Sequence, residues 1–213
     1  MAFIFPKLYT ILDSAILPAT GRTEFLSRLG ASLTSAGVTL LEYRNKTGSD
    51  AEILADCAAL RAAMPAGQVR LILDDRADLV STTGFDGVHV DAGDVTPAEA
   101  RKLIGPDRIL GTFGGSDALL PGILNAPADY LAIGPVFPTS TKHTTKPPIG
   151  IEGVRKLRTD AGPHVLLSAA AGITLDTAPA VLAAGASVIA VSAAIFRAAD
   201  PSAEARRWLA QLQ

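Results

Sequence analysis

The feature that most restricts the fold is an alternation running through the whole 213-residue chain, in which short apolar runs of strand length are separated by alanine-rich stretches with helical spacing. Strand patterns fall at 8–12, 38–43, 69–73, 87–89, 108–111, 130–133, 164–168 and 188–191, eight in all. Helical patterns fall at 23–35, 51–64, 97–104, 151–158 and 177–184, several followed by a glycine where a helix must stop. The fourth and fifth strand–helix units are short. Near-continuous apolar strands suit a parallel sheet covered by helices, and eight repeats favour a closed α/β TIM-type (β/α)8 barrel over an open doubly wound sheet.

The length fits a single barrel domain over 1–213, with a capped amphipathic helix at about 202–212 whose Trp208 and Leu209 pack on the barrel. An apolar fraction of 48% supplies its core, and a formal charge of −2 gives no global field to recruit nucleic acid or an anionic membrane. With aromatic residues at 5%, no basic stripe interleaved with aromatics offers a base-stacking platform. The opening Met1-Ala-Phe-Ile-Phe-Pro-Lys7 lacks a basic leader and runs into the first strand, and no stretch is long enough to span a membrane. Cys57, the one cysteine, excludes an internal disulfide and reads as a small core residue. These features predict a cytoplasmic protein and leave open a homo-oligomer.

In such a barrel the chemistry sits where strands hand over to loops at the C-terminal face. Charged residues gather at several of those places. In Asp129-Tyr-Leu-Ala-Ile-Gly-Pro-Val-Phe-Pro-Thr-Ser-Thr-Lys142 an apolar strand breaks into a Gly/Pro turn that carries hydroxyls and a lysine, a combination suited to an anion. Arg44 and Lys46 are two apart on an extended segment and can clamp separate oxygens of a diphosphate, although taken as an isolated pair they read first as a solvated strand end. Asp74 and Asp75 follow the third strand and Asp94 the fourth; oxygen ligands of this kind hold a hard cation, and the alternative is that they cap helices. Asp78 is expected just inside the next helix as a first-turn charge. His89 closes the fourth strand as a hydrogen-bonding structural residue, and His143 belongs to an exposed loop. Gly114-Gly115 and Gly172 lack the spacing of a dinucleotide fingerprint, although each can expose amides to a phosphate.

Taken together, Arg44-Asn-Lys46, Leu73-Asp-Asp-Arg76, Gly87-Val-His89, Asp94, Gly134-Pro-Val-Phe-Pro-Thr-Ser-Thr-Lys142 and Ala171-Gly-Ile173 resemble the thiamine phosphate synthase family over almost the whole chain. The resemblance implies a Mg2+-dependent transferase that joins hydroxymethylpyrimidine diphosphate to hydroxyethylthiazole phosphate and releases pyrophosphate. It further implies that Asp75 and Asp94 hold Mg2+, that Arg44, Lys46 and Lys142 bind the diphosphate, and that Thr139 and Thr141 approach the thiazole phosphate beside amides near Gly172. The family's path is dissociative, through a pyrimidine cation, so no protein nucleophile is required. The loop that carries Lys142 is expected to order when substrate enters.

The chain departs from the family pattern at Glu42 and Ala92, where the family usually has Gln, and at Asp74, where it has Asn. It departs again at Phe113 (Ser), Ala171 (Gly) and Ala193 (Ser, with Ser192 adjacent). Phe113 can fill the pyrimidine pocket. Three activities fit these residues: a synthase with altered specificity, a related enzyme for another phosphorylated ligand, and a binding barrel without catalysis.

Overall fold

The computed structural model describes residues 4–139 and 146–213. Its strands are β1 (Leu8–Asp13), β2 (Leu40–Arg44), β3 (Arg70–Asp74), β4 (Gly87–Val90), β5 (Ile109–Gly115), β6 (Tyr130–Ile133), β7 (Leu167–Ala170) and β8 (Val188–Val191). All are parallel and pair in chain order, and β1 closes the barrel on β8 with Leu8 opposite Ile189. The expected (β/α)8 barrel is therefore present, with each strand within a few residues of its sequence pattern.

The helices are α1 (Arg22–Ala36), α2 (Asp50–Ala63), α3 (Val80–Thr83), α4 (Pro97–Ile104), α5 (Gly150–Ala161), α6 (Ala178–Ala183), α7 (Ala193–Phe196) and α8 (Pro201–Gln211). Their ends follow local chemistry. Ser49 with Glu52 and Thr96 with Glu99 form reciprocal capping boxes on α2 and α4, while Asp200 caps α8 ahead of Pro201. Residues 116–129, between β5 and β6, contain no α-helix, only a bridge from Leu119 to Gly115 and the 3-10 turn Ile123–Asn125, which accounts for the short fifth unit. Asp78 lies ahead of α3, whose N-terminal flank is Leu79, and not inside it; the bidentate pull of Arg76 keeps Asp78 in the turn.

Strand alternation separates two cores. Leu41, Leu71, Val88, Leu110 and Leu167 point outward to the helices. Tyr9, Leu40, Ile72, Ile109, Tyr130 and Val188 fill the barrel interior. Cys57 is fully buried in the outer core, and burial pushes its thiol pKa up. Trp208 is 1% exposed, and Leu209 packs beside Gly37 at the end of α1.

Below the strands one device recurs. In the last turn of α4, Arg101 donates to Gly105 O at 3.0 Å and Arg108 O at 2.6 Å and pairs with Asp129, which itself accepts from Leu110 N at 2.7 Å. Arg158 of α5 bonds Gly162 O, Val165 O and Ser187 Oγ, and Ser187 accepts from Leu167 N. Arg61 of α2 bonds Met64 O and Val69 O and pairs with Asp86, which accepts from Leu71 N. Each arginine thus ties a helix end to the starts of the next two strands. Trp208 stands three residues before the end of α8, the place that Arg101 and Arg158 hold in α4 and α5.

Candidate active site

The inward-facing register of the strands runs through Tyr9 and Ile11 on β1, Leu40 and Glu42 on β2 and Ile72 on β3, and comes out at the mouth of the barrel in Asp13, Arg44 and Asp74. Arg44 pairs with Asp13, and its Nε lies 3.4 Å from Asp74 Oδ2. Lys46 reaches the same Asp74 oxygen at 2.9 Å and also pairs with Asp75. The two cations expected to act together therefore converge. Burial alone would pull the Lys46 ammonium down, but Asp74 and Asp75 more than offset it and its pKa is raised. The Asp74 carboxyl is raised above its ordinary value, chiefly by burial, against the pull of Lys46 and His89.

Asp75 has the left-handed backbone angle φ 64°, a costly conformation for a residue with a Cβ. Its amide donates to His89 O at 2.8 Å, which fixes the end of β3 against β4. Asp94 returns through a tight turn in which its carboxylate accepts from Asp91 N at 2.8 Å. Burial and the neighbouring Asp75 carboxyl hold the pKa of Asp94 up. Two carboxylates face each other here, and Asp75 Oδ1 is buried without a hydrogen-bond partner among the described residues. Neither caps a helix, since Leu79 and Thr96 occupy the flanks of α3 and α4.

A buried polar chain lies beneath. The Tyr9 hydroxyl donates to Glu42 Oε2 at 2.6 Å and lies 2.9 Å from the Tyr130 hydroxyl, which is 3.0 Å from His89 Nδ1. His89 Nε2 faces Asp91 at 3.6 Å. Burial, reinforced by Asp74, raises the Glu42 carboxyl from 4.5 to about 7. Burial lowers the His89 imidazolium, but Asp91, Glu42 and Asp74 reverse the sign and its pKa is raised. His89 is thus the hydrogen-bonding residue expected, and its side chain faces the barrel interior.

Across the mouth, Ala171 and Gly172 both have positive φ, 75° and 69°. A Cβ at Gly172 would stand 2.5 Å from Pro138 O, so glycine is required where this turn passes the loop after β6. β7 and β8 are neighbours, with Ala170 opposite Ala190, so the turn at Ala171-Gly172 and Ser192 both follow the C-terminal ends of adjacent strands. A cavity of about 50 Å³ opens next to Ser192, between Asp13 and Arg197. A larger one of about 170 Å³, lined by Tyr130 and His164, lies at the opposite end of the barrel, away from these charges.

Phe113 lies within β5, which runs on to Gly115, so Ser116 rather than Phe113 is the residue that follows the strand. Its ring is half-buried, and Lys146 Nζ sits 4.0 Å from the ring centroid. Thr139 ends the described part of its loop; Thr141, Lys142 and His143 lie outside the described residues. Sequence reasoning missed Asp13, Asp91, Tyr9, Tyr130 and Lys146. Asp13 had a signal, because it follows the first strand as Asp74 follows the apolar run of the third.

The architecture defines a (β/α)8 barrel with paired cations and clustered carboxyls at the C-terminal ends of its strands. More particularly, the chain belongs to the family described as thiamine monophosphate synthase, whose model matches residues 8–195. It is 38% identical over 204 residues to the thiamine-phosphate synthase of Koribacter versatilis, covering 96% of this chain and 94% of that protein. It is 40% identical over 197 residues to the thiamine-phosphate synthase of Agrobacterium fabrum, covering 91% and 88%. Among solved structures it resembles thiamine phosphate pyrophosphorylase from Pyrococcus furiosus, with a TM-score of 0.77 and 26% identity over 97% of this chain and 95% of that one.

Proposed function

We propose that this protein is a thiamine-phosphate synthase, a transferase that joins hydroxymethylpyrimidine diphosphate to hydroxyethylthiazole phosphate with release of pyrophosphate. The observation that carries the site assignment is the convergence of Arg44 and Lys46 on Asp74 and Asp75, beside Asp94, at one arc of the mouth. Family membership supports the reaction, and this arc supplies charges of the kinds that a metal–diphosphate needs.

The donor set suits Mg2+. Asp75 offers a buried, unpartnered carboxylate oxygen next to Asp94, and hard cations take oxygen ligands. Among the described residues no three His, Cys, Asp or Glu side chains are placed to hold a metal by themselves. That fits an ion that takes one or two protein carboxylates and completes its shell with water and substrate phosphates. Bound there, Mg2+ would neutralise charge on the departing diphosphate.

Arg44 and Lys46 hold the diphosphate, and their interaction strengthens as the carbon–oxygen bond breaks and charge collects on the leaving oxygen. Lys142 is assigned to the same group. Thr139, Thr141 and Ser192, with the turn at Ala171-Gly172, receive the thiazole phosphate on the opposite arc. Glu42, Asp74 and Phe113 face the pyrimidine. Glu42 and Asp74 add acidity near an anionic ligand; burial, which raises the Glu42 carboxyl to about 7, reduces that penalty at Glu42, and the pairing with Arg44 and Lys46 offsets it at Asp74. We assign the chain as one catalytic unit with a cytoplasmic address and no nucleic-acid or membrane partner; no helix among the described residues is long and apolar enough to cross a membrane.

The test is pyrophosphate release by purified protein supplied with both phosphorylated substrates, with and without Mg2+. Stoichiometric, Mg2+-dependent release and formation of thiamine phosphate are expected. Release that needs no thiazole phosphate, or none with either substrate set, would refute the assignment.

A further inference from the structure

Phe113 stands between the two anion-binding arcs. The diphosphate side is formed at the ends of β2, β3 and β4, and the phosphate turn at the ends of β7 and β8, so the atoms that react must meet between them. Phe113 shares the inward register of Ile109 and Gly111 on β5, and its ring is partly open to the mouth. The ring face already receives a cation, since the Lys146 ammonium lies 4.0 Å from its centroid. An aromatic face attracts positive charge through its quadrupole, and the attraction grows where water is excluded.

Given the reaction proposed above, on which this inference rests, we propose that Phe113 is a catalytic residue whose ring face stabilises positive charge on the pyrimidine's exocyclic carbon. The carbon–oxygen bond breaks with both electrons leaving on the diphosphate oxygen, so the methylene carbon becomes electron-poor. The lone pair of the thiazole nitrogen then forms the new carbon–nitrogen bond, and the positive charge passes to the thiazolium ring. No oxidant, reductant or external proton is needed. The ring face interacts more strongly with this cation than with the neutral bound substrate, which is the condition for accelerating the chemical step. Lys146 leaves that face when the pyrimidine takes it.

The Phe113 position lends itself to a test that preserves shape. Phenylalanine is replaced there by its 4-fluoro, 3,5-difluoro and 3,4,5-trifluoro analogues, which withdraw electron density from the face while keeping almost the same volume. Single-turnover rates are measured at saturating concentrations of both substrates, together with KM for the pyrimidine diphosphate. A stepwise fall, reaching roughly 5- to 30-fold with the trifluoro ring, is expected, because that range corresponds to a desolvated cation–π contact. KM should change far less, and Phe113→Leu should follow the same pattern. Equal single-turnover rates across the series, in a wild-type protein that releases pyrophosphate, would overturn the role of Phe113 and leave the synthase assignment standing. A wild-type protein that releases none would overturn both.

Discussion

Replacing Glu42 by Gln should flatten part of the protein's pH–stability profile. Glu42 is 4% exposed, and burial together with Asp74 moves its carboxyl from 4.5 to about 7. A carboxyl with a raised folded-state pKa keeps its proton longer when folded than when unfolded. Its contribution to stability is therefore complete below pH 4.5 and is lost as pH rises through about 7. At about 1.4 kcal/mol for each pH unit, the loss amounts to about 3 kcal/mol. Gln has no proton to lose, and its amide oxygen can still accept the 2.6 Å hydrogen bond from the Tyr9 hydroxyl. Urea unfolding of both proteins at pH 4.5 and pH 8 measures the effect, and following the His89 titration by NMR in each separates the part that comes from His89, whose pKa Glu42 helps to raise. Glu42→Gln should gain about 3 kcal/mol relative to wild type between those two pH values. Parallel pH profiles for the two proteins would show that burial does not hold the Glu42 proton and would refute the reasoning.

Asp75→Asn should weaken Mn2+ binding in the presence of pyrophosphate at least tenfold (about 1.4 kcal/mol) with little change in melting temperature, as read by titration calorimetry and thermal unfolding. Arg101→Ala removes donors from Gly105 O, Arg108 O and Pro127 O and leaves Asp129 without its cation; a loss of about 2–3 kcal/mol is expected in urea unfolding, with turnover per folded molecule unchanged. Gly172→Ala puts a Cβ 2.5 Å from Pro138 O at a positive φ, so stability should fall by about 1–2 kcal/mol, and steady-state kinetics should give a raised KM for the thiazole phosphate.

The barrel could be read from the sequence because its signal is repeated: no single short strand is persuasive, but eight apolar runs separated by helical or turn segments leave few other arrangements. The five helical patterns were found from their spacing and stop signals. Asp78 was misplaced because an acidic residue before a helix and one in its first turn look alike in sequence, and the Arg76 contact that decides between them is made in the folded turn. Arg44, Lys46, Asp75 and Asp94 were recognisable because they follow apolar runs. The chain of Tyr9, Glu42, Tyr130 and His89 was not, since its members lie up to 121 residues apart and are joined only by barrel closure. Phe113 was singled out by its departure from the family pattern, but the sequence offered a shorter fifth strand and contained no sign that Lys146 would rest on its ring.

The arginine ties beneath the barrel bear on how the chain assembles. They join residues only 25, 28 and 29 positions apart, so each closes a modest loop and can form while the remaining chain is unordered. The pairing of β1 with β8 spans nearly the whole sequence and has to wait. Trp208 occupies the place in α8 that α4 and α5 give to arginine, and it is the only tryptophan in the chain. Its burial accompanies the docking of this last helix. The protein therefore carries a fluorophore at the part of the ring that closes latest, and its emission reports seam closure separately from the far-ultraviolet signal of the strand–helix units that form before it.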